Sequence, residues 1–128
     1  MPLASGLLTG KFSPTTAFNA HDHRSFNRNG EVFDKGETFA GIDYLKGLNA
    51  VEEIRKIFPK DSSLAVYALK WILMFPEVSC IIPRASRPDQ ILSNLKASEF
   101  PDLTIAQMAG VKQIYEQYIW QDVVKENL

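Results

Sequence analysis

The chain has 128 residues, 45% of them hydrophobic and 23% charged, with a formal net charge of −1. Those are the size and balance of one water-soluble globular domain with a modest core. A near-neutral charge argues against a general nucleic-acid or membrane-surface binder, and the apolar run at residues 71–75 is far too short to span a bilayer.

No charged-then-apolar leader opens the chain, and its single cysteine, Cys80, has no internal disulfide partner. A reducing, cytoplasmic setting fits these features. Residues 1–12 begin without a polar lead-in or a cap, as if in mid-element, with a strand stub expected at Pro2-Leu3. Gly6 and Gly10 permit a tight backbone path, and Lys11 adds a cation. The resulting pattern falls one residue short of a P-loop, and Phe12 stands where a Ser or Thr would hold magnesium, so that motif is rejected.

Residues 13–41 are polar, rich in Gly and Asn, and aperiodic, which predicts a long loop, 12–41 with Phe12 at its edge, inside a single unit over 1–128. His21-Asp22-His23 has the look of a metal-ligand pair. Its i,i+2 spacing in a loop with no third ligand nearby favours two solvated histidines instead.

From about Asp43 the pattern becomes helical. Tyr44, Leu45, Leu48, Val51, Ile54, Ile57 and Phe58 recur at threes and fours, and Pro59 ends the run. Asp61, Ser62 or Ser63 then caps a helix that is apolar nearly all round, from Leu64 to Met74, which must be covered on several sides. Its Trp71-Ile72-Leu73-Met74 stripe is read as core rather than as a cofactor box. Further on, Thr104 and Gln107 form a capping box before a helix carrying Ile105, Met108, Val111, Ile114, Tyr115 and Tyr118, with residues 120–128 extending or fraying.

Between these helices lies the stretch with the most chemistry. Residues 78–82 read as a strand buried on both faces, holding Cys80. Arg84, Ser86 and Arg87 follow, then Pro88 at a position suited to a first helical turn and Ser86 spaced from Asp89 as in a capping box. Ile91, Leu92 and Leu95 give this helix an apolar side, while Ser86, Gln90 and Asn94 share another face. Cations delivered to a helix start suit an anion such as phosphate, although on these residues alone an ordinary surface βα turn is the simpler reading.

One convincing strand cannot make a sheet. About five buried residues would lack backbone partners at about 1–3 kcal/mol per unmade bond, against a total stability of roughly 5–15 kcal/mol for a small domain. The segment must pair with strands outside this chain, pair with another copy, or abandon strand geometry. The sequence therefore reads as a piece of something larger.

The stretch from Pro2 to Lys11 resembles the loop after the seventh strand of aldo-keto reductases, especially the bacterial branch near the potassium-channel β-subunits. The run Ile81-Ile82-Pro83-Arg84-Ala85-Ser86, with Gln90 and Asn94, resembles that family's eighth strand and following helix. The helix holding Ser63-Leu64-Ala65 and Ala68-Leu69-Lys70-Trp71 looks like its seventh barrel helix. The fold this implies is α/β, the C-terminal part of a (β/α)8 TIM barrel; as an isolated chain it is expected to be mostly α-helical with one or two short strands.

The resemblance implies NADP(H) as cofactor, bound across the C-terminal ends of the strands. Pro2, Leu3, Ala4, Ser5, Gly6 and Lys11 match positions around the nicotinamide ribose and pyrophosphate. Arg84, Ser86, Gln90 and Asn94 match the adenosine 2′-phosphate and adenine site, and Arg87 joins them on charge rather than motif. Arg84 stands where relatives often carry Gly or Lys, and Ser93 where many carry Glu. The family's catalytic Asp, Tyr, Lys and His are implied to lie on the first half of the barrel, so no catalytic residue is assigned here and the polypeptide alone is expected to be inactive. Its expected partner is the missing N-terminal barrel half or another copy of itself, giving a homo-oligomer when isolated. The alternative is a stand-alone, non-catalytic helical protein that self-associates; a nucleic-acid binder built on Arg84 and Arg87 is disfavoured by the net charge.

Overall fold

A computed structural model describes residues 1–125, and among these there is no β-strand. A 3₁₀ turn over Ala4–Thr9 is followed by a short helix α1 (His23–Phe26) and by 3₁₀ turns at Lys35–Glu37 and Phe39–Gly41. Five helices come next: α2 (Tyr44–Arg55), α3 (Leu64–Leu73), α4 (Pro88–Glu99), α5 (Ile105–Tyr118) and α6 (Trp120–Lys125). The expected continuation over residues 126–128 lies outside the described residues.

Local chemistry sets several of these boundaries. The Asp43 carboxylate accepts the Lys46 N–H at 2.9 Å and starts α2. That helix tightens into 3₁₀ bonds from Lys56 and Ile57 before Pro59. At α5 the capping box is complete: the Gln107 N–H donates to Thr104 Oγ1 at 3.1 Å, and the Thr104 N–H to Gln107 Oε1 at 2.9 Å.

Helix α2 packs on α5 and α3 on α4, with the Ala4–Thr9 turn against both α2 and α3. The main core gathers Leu7, Phe39, Tyr44, Leu48, Val51, Phe58, Leu64, Tyr67 and Leu103. Phe58 and Tyr67 stack there with ring centroids 4.2 Å apart. A second, smaller cluster of Val66, Leu69 and Ala97 forms the α3–α4 seam, with Leu3, Ile81 and Phe100 against it. Lys70, although buried, reaches Asp102 at 2.8 Å and ties α3 to the approach of α5.

Several sequence expectations are corrected. Residues 78–82 are not a buried strand: Ile82 is 86% exposed and Cys80 is exposed, because no described strand offers a ladder partner. The stub at Pro2-Leu3 is likewise turn rather than strand. Segment 13–41, expected as a long loop, carries α1 and two 3₁₀ turns, contributes Phe39 to the core and packs Phe18 against it. The apolar side of α4 is present but uncovered, with Ile91, Leu92 and Leu95 all exposed. Among the described residues no helix is long and apolar enough to cross a membrane.

Candidate functional site

The Ala4–Thr9 turn is built on unusual backbone. Ala4, Ser5 and Gly6 have φ of 47°, 56° and 92°, the left-handed region that non-glycine residues avoid at a cost of roughly 1–2 kcal/mol each. Such geometry persists only where neighbours over-determine it. Here the Phe39 N–H donates to Ser5 Oγ at 3.1 Å, the Ser5 hydroxyl lies 3.4 Å from the Glu37 carbonyl, and Arg24 Nη1 donates to the Ser5 carbonyl at 3.2 Å. A Cβ at Gly6 would stand 3.1 Å from the Phe12 ring, and one at Gly10 would collide with the Arg55 guanidinium that donates to the Gly10 carbonyl.

Segment 13–41 supplies the clasp. Asp22 caps α1 by accepting the Arg24 N–H at 2.9 Å, and its carboxylate takes Arg24 Nε and Nη2 at 2.9 and 2.6 Å. The same guanidinium lies over Phe18 and Phe12, 4.6 and 5.6 Å from their centroids. Asn27, fully buried, accepts the Val32 and Phe33 N–H groups at 2.8 Å each and donates to Thr38 Oγ1 at 3.3 Å. His23 is half-buried with Nε2 3.5 Å from Ser5 Oγ, so the expectation of two solvated histidines is corrected: His21 is exposed, and His23 belongs to the clasp. Among the described residues no group of three or more His, Cys, Asp or Glu is placed to hold a metal ion.

The hydrogen bond from Arg24 holds the Asp22 carboxyl at about 2, below its ordinary 3.8, with burial opposing the shift. Between those two values the unfolded chain binds the proton more readily than the folded one, so stability rises with pH. The contribution is fully present above about pH 4 and is lost as pH falls toward 2. After allowance for solvent screening it is on the order of 1–2 kcal/mol. Urea denaturation from pH 5 to pH 2 is expected to show a shallower acid limb for Asp22→Asn than for the parent chain. Parallel acid limbs would remove Asp22 from the account.

The second candidate stretch leads into α4. Arg87, extended at φ −142°, is the N-cap residue but gives no side-chain cap, and Pro88 occupies the first turn as expected. The Ser86–Asp89 capping box does not form, because another acceptor satisfies Ser86. Its N–H and Oγ lie 2.7 and 3.1 Å from Gln90 Oε1, while Asp89 pairs with Arg87. Arg84 is exposed and makes no hydrogen bond or ion pair among the described residues. Asn94 is half-buried and faces a cleft of about 350 Å³ beside Cys80, Ile81 and Pro83.

The candidate residues thus fall into two groups. Pro2, Leu3, Ala4, Ser5 and Gly6 are wound into the clasped turn, with the Lys11 side chain exposed just beyond. Arg84, Ser86 and Arg87 lie on the approach to α4, with Gln90 in its first turn and Asn94 near its middle; of these, Ser86 and Gln90 are hydrogen-bonded to each other. No hydrogen bond or ion pair among the described residues joins the groups. Leu3 links them indirectly by packing on the α3–α4 seam that also receives Ile81. A larger hollow of about 640 Å³ between α2, α3 and α5 is apolar and shares only Pro2 and Ala4 with the candidate set, so its size does not make it the site.

Sequence reading passed over Arg24, Asn27 and Phe39 as parts of this arrangement. The signal available was Asp22, an N-cap residue type directly before α1.

Comparison with known proteins matches residues 1–116 to the model of the aldo/keto reductase family. The L-glyceraldehyde 3-phosphate reductases of Escherichia coli O157:H7 and of Escherichia coli strain K12 are each 30% identical over 123 residues, 94% of this chain and 34% of theirs. A putative voltage-gated potassium channel subunit beta of Schizosaccharomyces pombe is 32% identical over 101 residues, 79% of this chain and 28% of that protein. The chain spans about a third of the length of the curated relatives it matches. No solved structure matches it.

Proposed function

This chain belongs to the aldo/keto reductase family, and from that membership we propose that it is the NADP(H)-binding, C-terminal portion of a (β/α)8 barrel. The parent enzyme reduces a carbonyl to an alcohol. Its similarity to L-glyceraldehyde 3-phosphate reductases supports an aldehyde as the parent's class of substrate. A cytoplasmic setting goes with this reading.

The observation that carries the proposal is Arg84, an exposed cation without a partner among the described residues, two residues before the Ser86–Gln90 pair at the entry to α4. An adenosine 2′-phosphate needs a charged fork and polar neighbours on an open surface. Arg84, Arg87, Ser86, Gln90 and Asn94 fit that need. The Ala4–Thr9 turn fits the other end through its tight backbone, with Pro2, Leu3, Ala4, Ser5, Gly6 and Lys11 around the nicotinamide ribose and the pyrophosphate. When bound, the cofactor supplies a hydride; this chain's residues bind and orient it.

Among the described residues, none is assigned the role of proton donor to the substrate. The Tyr44 hydroxyl donates to the Ser13 carbonyl at 2.9 Å, Tyr67 is buried against Phe58, and Tyr115 and Tyr118 lie on α5. Hydride transfer needs substrate, nicotinamide and an acid within near-attack distance. The chain alone is therefore proposed to be inactive.

Its partner is the rest of the barrel or another copy. The uncovered face of α4, Ile82 at 86% exposure and Ile105 at 90% are the surfaces that a partner covers. Sedimentation of the isolated chain, followed through the absorbance of added NADPH, tests both halves of the reading. The expected result is an oligomer, or a partly unfolded species, that carries cofactor only weakly. A folded monomer would count against the partner, and micromolar or tighter co-sedimentation of NADPH would count against an incomplete pocket.

A second reading keeps the chain as a self-associating, non-catalytic helical protein, favoured by the absence of any strand among the described residues.

A further inference from the structure

At the entry to α4 two of the polar candidates are already satisfied from within. Arg87 Nε and Nη2 each lie 3.0 Å from the two oxygens of Asp89, and Ser86 spends both its N–H and its hydroxyl on Gln90. A guanidinium presents five N–H groups, and the Nε–Nη edge is a two-pronged fork for planar or tetrahedral oxyanions. Asp89 occupies that edge. A phosphate seeking the same edge must displace the carboxylate. Both side chains are more than half exposed, so the exchange is open to solvent and involves no buried charge. The pairing keeps the Asp89 carboxyl below its ordinary value, chiefly through the Arg87 hydrogen bond, so the competitor stays charged at neutral pH.

We infer that Asp89 is an internal competitor for the outer phosphate: its two-point pair with Arg87 lowers the affinity of this surface for a 2′-phosphorylated adenosine ligand. It thereby sets how strongly the surface distinguishes phosphorylated from unphosphorylated dinucleotides. The inference rests on the cofactor reading above and adds a determinant of selectivity to it.

Asp89 also lies in the first turn of α4, where a negative charge favours the helix on its own account. The test must therefore separate competition for Arg87 from plain charge at a helix start. The full chain, D89N, R87A and the double variant are titrated with 2′,5′-ADP and, as reference, with 5′-AMP. Both ligands carry adenosine without the nicotinamide half, so an incomplete pocket at the other end does not enter.

D89N is expected to bind 2′,5′-ADP roughly 2- to 5-fold more tightly than the parent, the worth of one exposed ion pair, with 5′-AMP unchanged. R87A is expected to weaken 2′,5′-ADP, and adding D89N to R87A to restore nothing. An equal gain from D89N in the R87A background assigns the effect to the helix start and overturns the inference alone, as does D89N without any gain. Failure of parent and variants alike to bind 2′,5′-ADP overturns the cofactor reading, and the inference with it.

Discussion

Replacing Phe39 with alanine is expected to destabilise the chain by about 3–5 kcal/mol, the usual cost of emptying an aromatic site in a core. Phe39 is fully buried and meets Tyr44 at 5.0 Å, Phe18 at 6.0 Å and Phe12 at 6.4 Å between ring centroids. Two of those rings also carry the Arg24 guanidinium, so the loss spreads from packing to the clasp. The backbone of Phe39 is itself left-handed at φ 50° and gives its N–H to Ser5 Oγ. Without the ring, little holds that geometry. Urea denaturation followed by circular dichroism should show the midpoint fall, and hydrogen exchange should show the Ser5–Gly6 amides opening early. Phe39→Leu, which keeps most of the volume, is expected to lose less than half as much. Equal losses from the two variants would place the energy elsewhere than in this aromatic cluster.

The legible parts of the fold are those in which one short-range rule decides the outcome. Thr104 and Gln107 make their capping box whatever α5 later packs on, and Pro59 bars α2 from continuing, although the helix already closes at Arg55 through 3₁₀ bonds from Lys56 and Ile57. Residues 78–82 differ, because a strand is a property of a pair. An apolar run signals burial between neighbours, and with no described strand beside it Ile82 stands in solvent. The apolar side of α4 repeats the lesson, its spacing readable and its cover absent from the described residues.

Segment 13–41 was illegible for the opposite reason. Its order comes from isolated side chains with no period between them: Phe18 and Phe39 reach the aromatic cluster, and Asn27 closes its own loop by accepting two backbone N–H groups. Periodicity detects a repeating face and is blind to single anchors. A buried Asn, read in one dimension, looks like any polar loop residue.

The candidate site divides the same way. Arg84, Ser86 and Gln90 are close in sequence, and their grouping at the start of a helix follows from Pro88 and the spacing that comes after it. The Ser86–Gln90 bond, rather than a Ser86–Asp89 box, was not predictable from spacing, since Gln and Asp compete for the same donors and Arg87 takes the Asp. At the other end, Gly6 and Gly10 were legible as giving the backbone around Ser5 a tight path. Arg24, which locks that path, lies nineteen residues away in the chain.

Truncating Leu69 tests whether these two ends are held separately. Leu69 is fully buried in the α3–α4 seam beside Val66 and Ala97, and Leu69→Ala is expected to cost about 2–5 kcal/mol, the spread reflecting how far the seam can collapse. Helix α4 buries only Ala97 among its own residues, so it has little other contact to fall back on. The loss should therefore appear as loosening of α4 rather than of α2 or α5, which are anchored in the larger core. Native-state hydrogen exchange of Leu69→Ala is expected to speed most at the α4 amides, with residues 84–94 following and the Asp22–Arg24–Ser5 clasp little changed. Phe39→Ala should give the reverse pattern, with the clasp opening first. A uniform acceleration through both regions in either variant would mean that the chain opens as one cooperative unit, and that the two ends of the proposed dinucleotide site share one foundation instead of resting on two.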